Sequence, residues 1–358
     1  AEALLLRVKS PADLDHAELR LLLGASLRWQ GQLQEAVSHL EHAFSVFTAL
    51  EEEGRRASAA NFLGWTLLSM GRLDDSRRWF TKSLTINREL EATRRVAQNL
   101  QNLAIVSYKQ GSWQQASSFL QEELALVGDE KDMVCRARIA LGNVQRQQGE
   151  FLDARSSLMK AYSLAAECGL VREETLALEF MGDVFRDEGN PAEARRYYQR
   201  GLALARSLAP RGDLVMELLR REGECLDLEG RHEEAHHLLN ETLALAQEVG
   251  DRFEVAVIKR CLGVNSGNLG RWRVARQFLL QTLATLSEMN ARPELMVASY
   301  RLARTLLRQI DTGNAGAYSA RLLEEAWEHA LAAEKLSKDL VATHLNEDIK
   351  DLVSGLAR

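Results

Sequence analysis

His232-Glu233-Glu234-Ala235-His236 spells H-E-x-x-H. On a helix these two histidines stand one turn apart, where they could share a zinc ion with Glu233 as general base. A second candidate is the glycine-rich run from Gly263 to Gly270, GVNSGNLG. It lacks the Lys-Ser/Thr pair that completes a phosphate loop, and no strand is predicted before it. No Ser-His-Asp or Cys-His arrangement stands out. No catalytic residue, cofactor or metal is therefore expected.

Both runs sit inside a pattern that recurs seven times. Each copy has a small residue (Gly24, Gly64, Ala104, Gly142, Gly182, Gly223, Gly263), then seven places on a glycine (Gly31, Gly71, Gly111, Gly149, Gly189, Gly230, Gly270). Five places further come Ala36, Ser76, Ala116, Ala154, Ala194, Ala235 and Ala275, and four beyond those Leu40, Phe80, Leu120, Leu158, Tyr198, Leu239 and Leu279. The glycines are spaced by 40, 40, 38, 40, 41 and 40 residues. A fixed period in this range signals a solenoid of helix pairs. The small residue lets the second helix approach the middle of the first. The glycine ends the first helix in a left-handed turn, and the Ala-x3-large step packs between the two helices. In this register His232 takes the position held by Leu33, Leu73, Trp113, Phe151 and Trp272, and Ala235 is the packing alanine. The zinc motif is thus a repeat with histidines at two variable positions, leaving only adventitious metal capture with His237. Gly263 and Gly270 are likewise repeat residues, and only Gly267 is extra.

The pairs Leu23-Gly24, Leu63-Gly64, Leu141-Gly142 and Leu262-Gly263, with the steps Ser76-x3-Phe80 and Ala194-x3-Tyr198, resemble the tetratricopeptide repeat (TPR). The period exceeds that family's usual length of about 34 residues, and no proline closes the second helix. The long form is similar to repeats in Leu-Gly-Asn-type adaptors, kinesin light chains and MalT-like or Rap-like bacterial regulators. The resemblance implies an all-α, right-handed α-solenoid superhelix of about eight hairpins with terminal capping helices. The expected repeats lie near 14–51, 54–90, 95–127, 130–167, 171–208, 211–249, 251–290 and 293–338. A short helical stretch at 1–10 precedes them and a cap at 340–358 follows. In the eighth repeat, IDTGNAGAYS replaces the usual turn.

Apolar residues at 46% and charged residues at 27% describe an ordinary water-exposed chain. The net charge of −6 argues against a broad nucleic-acid surface. No apolar run is long enough to span a membrane. Cys135, Cys168, Cys225 and Cys261 form no C-x-x-C pair and read as small buried thiols in a reducing cytoplasm. Pro191 is expected in the first turn of a second helix, and Pro11, Pro210 and Pro293 between repeats. Beginning at Ala1, the sequence is expected to be a segment of a longer protein.

The resemblance places binding on a concave groove lined by the first helices, where residues recur at steps of three and four. In the early repeats the candidate partner-binding residues are Asn61, Trp65, Gln98, Gln101, Asn102 and Tyr108. In the middle repeats they are Arg136, Asn143, Arg146, Asp183, Arg186, Arg220, Glu224 and Arg260. Alternating Arg and acid can hold a peptide by charge-assisted hydrogen bonds, with aromatic anchors at one end. The carboxylate clamp of chaperone-binding relatives is matched only at Asn143. Ile139 and Glu217 stand where its cations belong. The expected function is a non-catalytic scaffold binding a peptide or partner segment. The alternative is an effector-sensing or autoinhibitory segment of a bacterial transcription regulator or signalling ATPase.

Overall fold

The computed structural model describes residues 13–289, 291–339 and 345–357. The expected helical stretch at 1–10, Pro11 and the start of the cap at 340–344 lie outside them. The described residues are helical, with one 3-10 turn and no strand. The first three hairpins are α1 (Leu14–Trp29) with α2 (Leu33–Ala49), α3 (Glu53–Ser69) with α4 (Leu73–Glu89), and α5 (Thr93–Lys109) with α6 (Trp113–Leu126). Then come α7 (Lys131–Gln148) with α8 (Phe151–Cys168), α9 (Val171–Asp187) with α10 (Pro191–Leu208), and α11 (Asp213–Leu228) with α12 (His232–Val249). The last two are α13 (Arg252–Asn268) with α14 (Trp272–Glu288), and α15 (Arg292–Asp311) with α16 (Ser319–Asp339), followed by α17 (Asn346–Leu356). The chain divides into two compact units, one ending at Glu130 and one beginning at Lys131.

Within a hairpin, the two helices meet at the small residue. A methyl group on Gly64 would lie 2.6 Å from the Phe80 ring, and one on Gly182 only 2.3 Å from that of Tyr198. The Ala and large residues of the step are fully buried in all seven copies: Ala36 and Leu40, Ser76 and Phe80, and onward to Ala275 and Leu279. Ser76, the one exception to alanine, donates its hydroxyl to the Gly64 carbonyl at 2.7 Å, so its polar atom is satisfied inside the contact. The turn glycine does what its spacing predicts. Gly189 has φ 81°, its N–H reaches Arg186 O at 3.0 Å, and the next N–H, of Asn190, reaches Phe185 O at 2.8 Å. This pair of bonds satisfies carbonyls that the helix end leaves open. Asn190 then caps α10 by accepting from Glu193 N at 3.2 Å, with Pro191 in the first turn.

Two details depart from expectation. Pro293 lies in the first turn of α15 rather than between repeats, where its missing N–H removes no helix bond. Cys168 is exposed, unlike Cys135, Cys225 and Cys261, because it ends α8 while the others face neighbouring helices in the middle of α7, α11 and α13. In the eighth hairpin the 3-10 turn Gly316–Tyr318 bridges α15 to α16. Ile349 of α17 then packs on Met296, Tyr300 and Ala333, covering the end of the second unit.

Gly182→Ala should destabilise the second unit by about 1–3 kcal/mol, because the added methyl overpacks a fully buried ring. Gly355→Ala meets nothing within 4 Å and should be neutral or stabilising by up to about 1 kcal/mol. Chemical denaturation of both variants checks the contrast.

Candidate functional site

In the second unit the first helices α7, α9, α11, α13 and α15 pack on one another in sequence. Their shared face carries most of the charged residues singled out above, and these hold each other. Arg146 pairs with Asp187 across the repeat and donates to Asn143 Oδ1 at 3.0 and 3.2 Å. Arg186 contacts Asp183 at 3.0 Å, Asp187 at 3.0 Å and Glu224 at 3.2 Å. Arg220 meets Glu254 at 2.6 Å and Glu224 at 3.5 Å, while Arg260 reaches Glu224 at 3.1 Å. Arg136 stands apart, exposed and paired with Asp132 and Glu173. The ladder is thus internally compensated from α7 to α13.

Arg221, whose position alone does not mark it, is shared among three acids, as Arg186 is. It binds Glu179 at 2.8 Å, Asp183 at 3.1 Å and Glu217 at 3.2 Å. Tyr198 Oη also donates to Asp183 at 2.8 Å, so the large residue of the hairpin step ties the ladder to the core. Burial alone would raise the pKa of Asp183, but Arg186, Arg221 and Arg146 together hold it far below the usual carboxylate range. Burial likewise opposes ionisation of Glu224, and Arg220, Arg186 and Arg260 prevail, keeping it well depressed. Glu179 goes the other way. Its burial outweighs Arg221, and Glu217 and Asp183 add to the upward shift.

The zinc motif is absorbed into the same scheme. His232 Nδ1 lies 2.7 Å from Asp227 Oδ1, and His236 Nδ1 lies 3.0 Å from Asn265 Oδ1. Asn265 and Asn268 donate to the two oxygens of Asp227 at 2.8 and 2.7 Å. Glu233 is exposed and meets Arg271 at 2.9 Å. Among the described residues no cluster of three His, Cys, Asp or Glu is placed to hold a metal.

In the first unit the candidates are amides and rings. Asn61 Oδ1 accepts from Asn102 at 2.8 Å and from Asn99 at 3.3 Å. Asn99 Oδ1 in turn accepts from Asn87 at 2.7 Å. This buried chain orients α3 against α5. Trp65 stands edge-on to Phe80, with ring centres 5.7 Å apart, and Tyr108 edge-on to Trp113 at 4.8 Å, so both rings serve the core while remaining partly open. Gln98 and Gln101 on α5 have no hydrogen-bond partner among the described residues, and Gln98 is exposed.

The tetratricopeptide repeat profile matches residues 15–89, 95–167 and 173–248, more than half of the chain. The chain belongs to the tetratricopeptide repeat family. A search of curated protein sequences finds no match. Among solved structures, the TPR fold seen here is similar to that of apo RapI (TM-score 0.64, 12% identity, covering 90% of this chain and 87% of RapI). It is also similar to the Rap conjugation gene regulator of plasmid pLS20 in complex with the Phr* peptide (0.64, 14%, 93% and 99%). A third similar structure is the apo quorum sensor NprR from B. thuringiensis (0.60, 14%, 88% and 87%). At these identities the likeness is one of fold. Among the described residues no helix is long and apolar enough to cross a membrane.

The raised pKa of Glu179 has a signed consequence. An acid whose folded pKa exceeds its unfolded value favours the fold while protonated, and that contribution is lost as pH rises through the folded pKa. The melting temperature of the protein should fall as pH rises from about 4.5 to about 8, and Glu179→Gln should remove most of that fall. Asp183 and Glu224, shifted down, oppose unfolding until strongly acid pH. Thermal melts across the range, for both proteins, measure this.

Proposed function

We propose that the face of the first helices binds a peptide or partner segment, and that the protein is a non-catalytic interaction scaffold. The observation that carries this reading is the amide arrangement in the first unit. Asn61, Asn99 and Asn102 are fixed by one another, while Gln98 and Gln101 on α5 have no hydrogen-bond partner among the described residues, and the rings of Trp65 and Tyr108 in the same unit stay partly open. A carboxamide offers both a donor and an acceptor, which matches the N–H and C=O of a peptide backbone. Half-open aromatic rings add apolar anchorage. In the second unit the compensated ladder presents a firm polar wall whose arginines are already oriented.

The solved structures of similar fold support this reading, since one was determined in complex with the Phr* peptide and another Rap protein in complex with competence and sporulation factor. The similar structures of a conjugation gene regulator and a quorum sensor favour the second reading, an effector-sensing or autoinhibitory segment of a bacterial transcription regulator or signalling ATPase. Both readings place the ligand on the same face. A reducing cytoplasm, which suits the free thiols, belongs to the same proposal.

A random-peptide display selection on the purified protein tests it. The selected peptides should lose about tenfold or more in affinity on the double variant Gln98→Ala with Gln101→Ala, the scale of two lost hydrogen bonds. Unchanged binding by that variant, with its melting temperature intact, would remove α5 from the site. Failure to select any peptide on the wild-type protein would remove the peptide reading itself.

A further inference from the structure

Two successive steps of the ladder, from α9 to α11 and from α11 to α13, share a positional rule. One place after the small residue of a repeat stands a carboxylate, Asp183 after Gly182 and Glu224 after Gly223. It accepts from the residue two places before the small residue of the next repeat. Arg221 Nε donates to Asp183 at 3.1 Å, and the Cys261 thiol donates to Glu224 Oε1 at 2.9 Å. At the following step the rule breaks. The carboxylate position after Gly263 is Val264, and the donor position before Ala303 is Arg301.

Arg301 is half-buried and has neither an ion pair nor a hydrogen bond from its guanidinium among the described residues. Its recorded neighbour is the Tyr300 ring, 5.7 Å from Cζ to the centroid. The carboxylate position of α15 itself is also inverted to a cation: Arg304 donates to Tyr300 Oη at 3.1 Å. One turn on, Arg308 meets only the neutral Asn268. Burial, and then the nearby Arg260, lower the pKa of Arg301, and Tyr300 and Glu224 offset only part of that, because Glu224 is already shared by Arg186, Arg220 and Arg260. An arginine stays protonated regardless, so the imbalance is one of charge rather than of titration. A partly desolvated charge without a partner is unfavourable to the folded state, yet here three arginines collect where the two preceding steps pair each carboxylate with a donor.

We propose that Arg301, with Arg304 beside it, receives a carboxylate of the ligand, an acidic side chain or a free C-terminus, in the place that Asp183 and Glu224 fill in the two preceding repeats. The proposal rests on the peptide reading above and gives it a chemical requirement. A carboxylate is indicated because the two equivalent positions before it are occupied by carboxylates, and because the planar guanidinium fork matches that group. Val264, also half-buried, leaves the position apolar where the ligand's acid would enter. The slot lies on α13 and α15, away from the clamp position at Asn143.

The test uses acetate as the probe, with the Arg301 side-chain NMR signal assigned by its loss in Arg301→Gln. Acetate at constant ionic strength should shift this signal saturably in the wild-type protein. It should not do so in Val264→Glu, where the chain supplies its own carboxylate. No saturable shift, or an equal shift with chloride, overturns the slot. Saturation by inorganic phosphate at a tenfold lower concentration overturns carboxylate as its ligand. Peptides selected on the wild-type protein should then weaken about tenfold or more when their acidic side chain is changed to its amide or their C-terminus is amidated. Whichever change matters identifies the source, and neither should alter binding to Arg301→Gln. Peptides indifferent to both changes overturn the proposal and leave the peptide reading intact. Acetate saturation without any peptide selected overturns the peptide as the source of the carboxylate.

Discussion

Every hairpin depends on one constraint: two helices must come together at a point where one of them has no side chain or, at Ala104 and Ala303, only a methyl group. At Gly182 the ring of Tyr198 occupies the space that a Cβ would need. That ring also carries a hydroxyl, which reaches past the contact to Asp183. The closest steric contact of the hairpin and an acid shared by two arginines are therefore joined by one side chain. Glycine inside a helix gives up about 1 kcal/mol of intrinsic propensity, and the fit of a fully buried aromatic ring offsets it.

From this contact follows the arrangement of the charged residues. Because the hairpins repeat at nearly constant length, first helices stack with a constant offset, and side chains at fixed positions meet their counterparts in the next repeat. Arg146 with Asp187, Arg221 with Asp183 and Arg220 with Glu254 are all products of this offset. Buried ion pairs add little net stability over apolar packing, whereas leaving one partner alone costs about 3–5 kcal/mol. The ladder therefore acts chiefly on register, since a hairpin slipped along its neighbour would strand several charges at once.

A compensated ladder and an uncompensated end have different physical meaning. Within α7 to α13 the arginines are structural members with orientations already set, which makes a firm wall but leaves little free charge. On α15 Arg304 stands at the acid position and Arg301 at the donor position, and both lie by the Tyr300 side chain rather than a carboxylate. In the first unit neutral amides take the place of charges, and there too some are locked and some are left over. Both units thus present a face in which most polar groups are internally satisfied and a few are not. On the peptide reading proposed above, the unsatisfied few are the groups a ligand would meet.

The sequence by itself determined the hairpins, because their signals are local: a glycine at a turn, a small residue seven places before it, an alanine and a large residue after it. Gly189, Ala194 and Tyr198 could be placed without coordinates for this reason. It could also show that His232 and His236 occupy repeat positions and so discount a metal site. It carried no comparable signal for the turns at Glu51 and Glu91, which adopt φ 56° and 52° without glycine. There the flanking helices, not the residue type, impose the conformation. Nor could it show which of the charged residues on the first helices are engaged. Arg186 and Arg220 look like open binding groups when read by position, and Arg221 looks unremarkable, until the offset between helices brings their partners within reach. Only the tertiary structure decided that, because pairing across repeats depends on the rotation and axial shift of one helix against the next, quantities that spacing along a single helix does not contain.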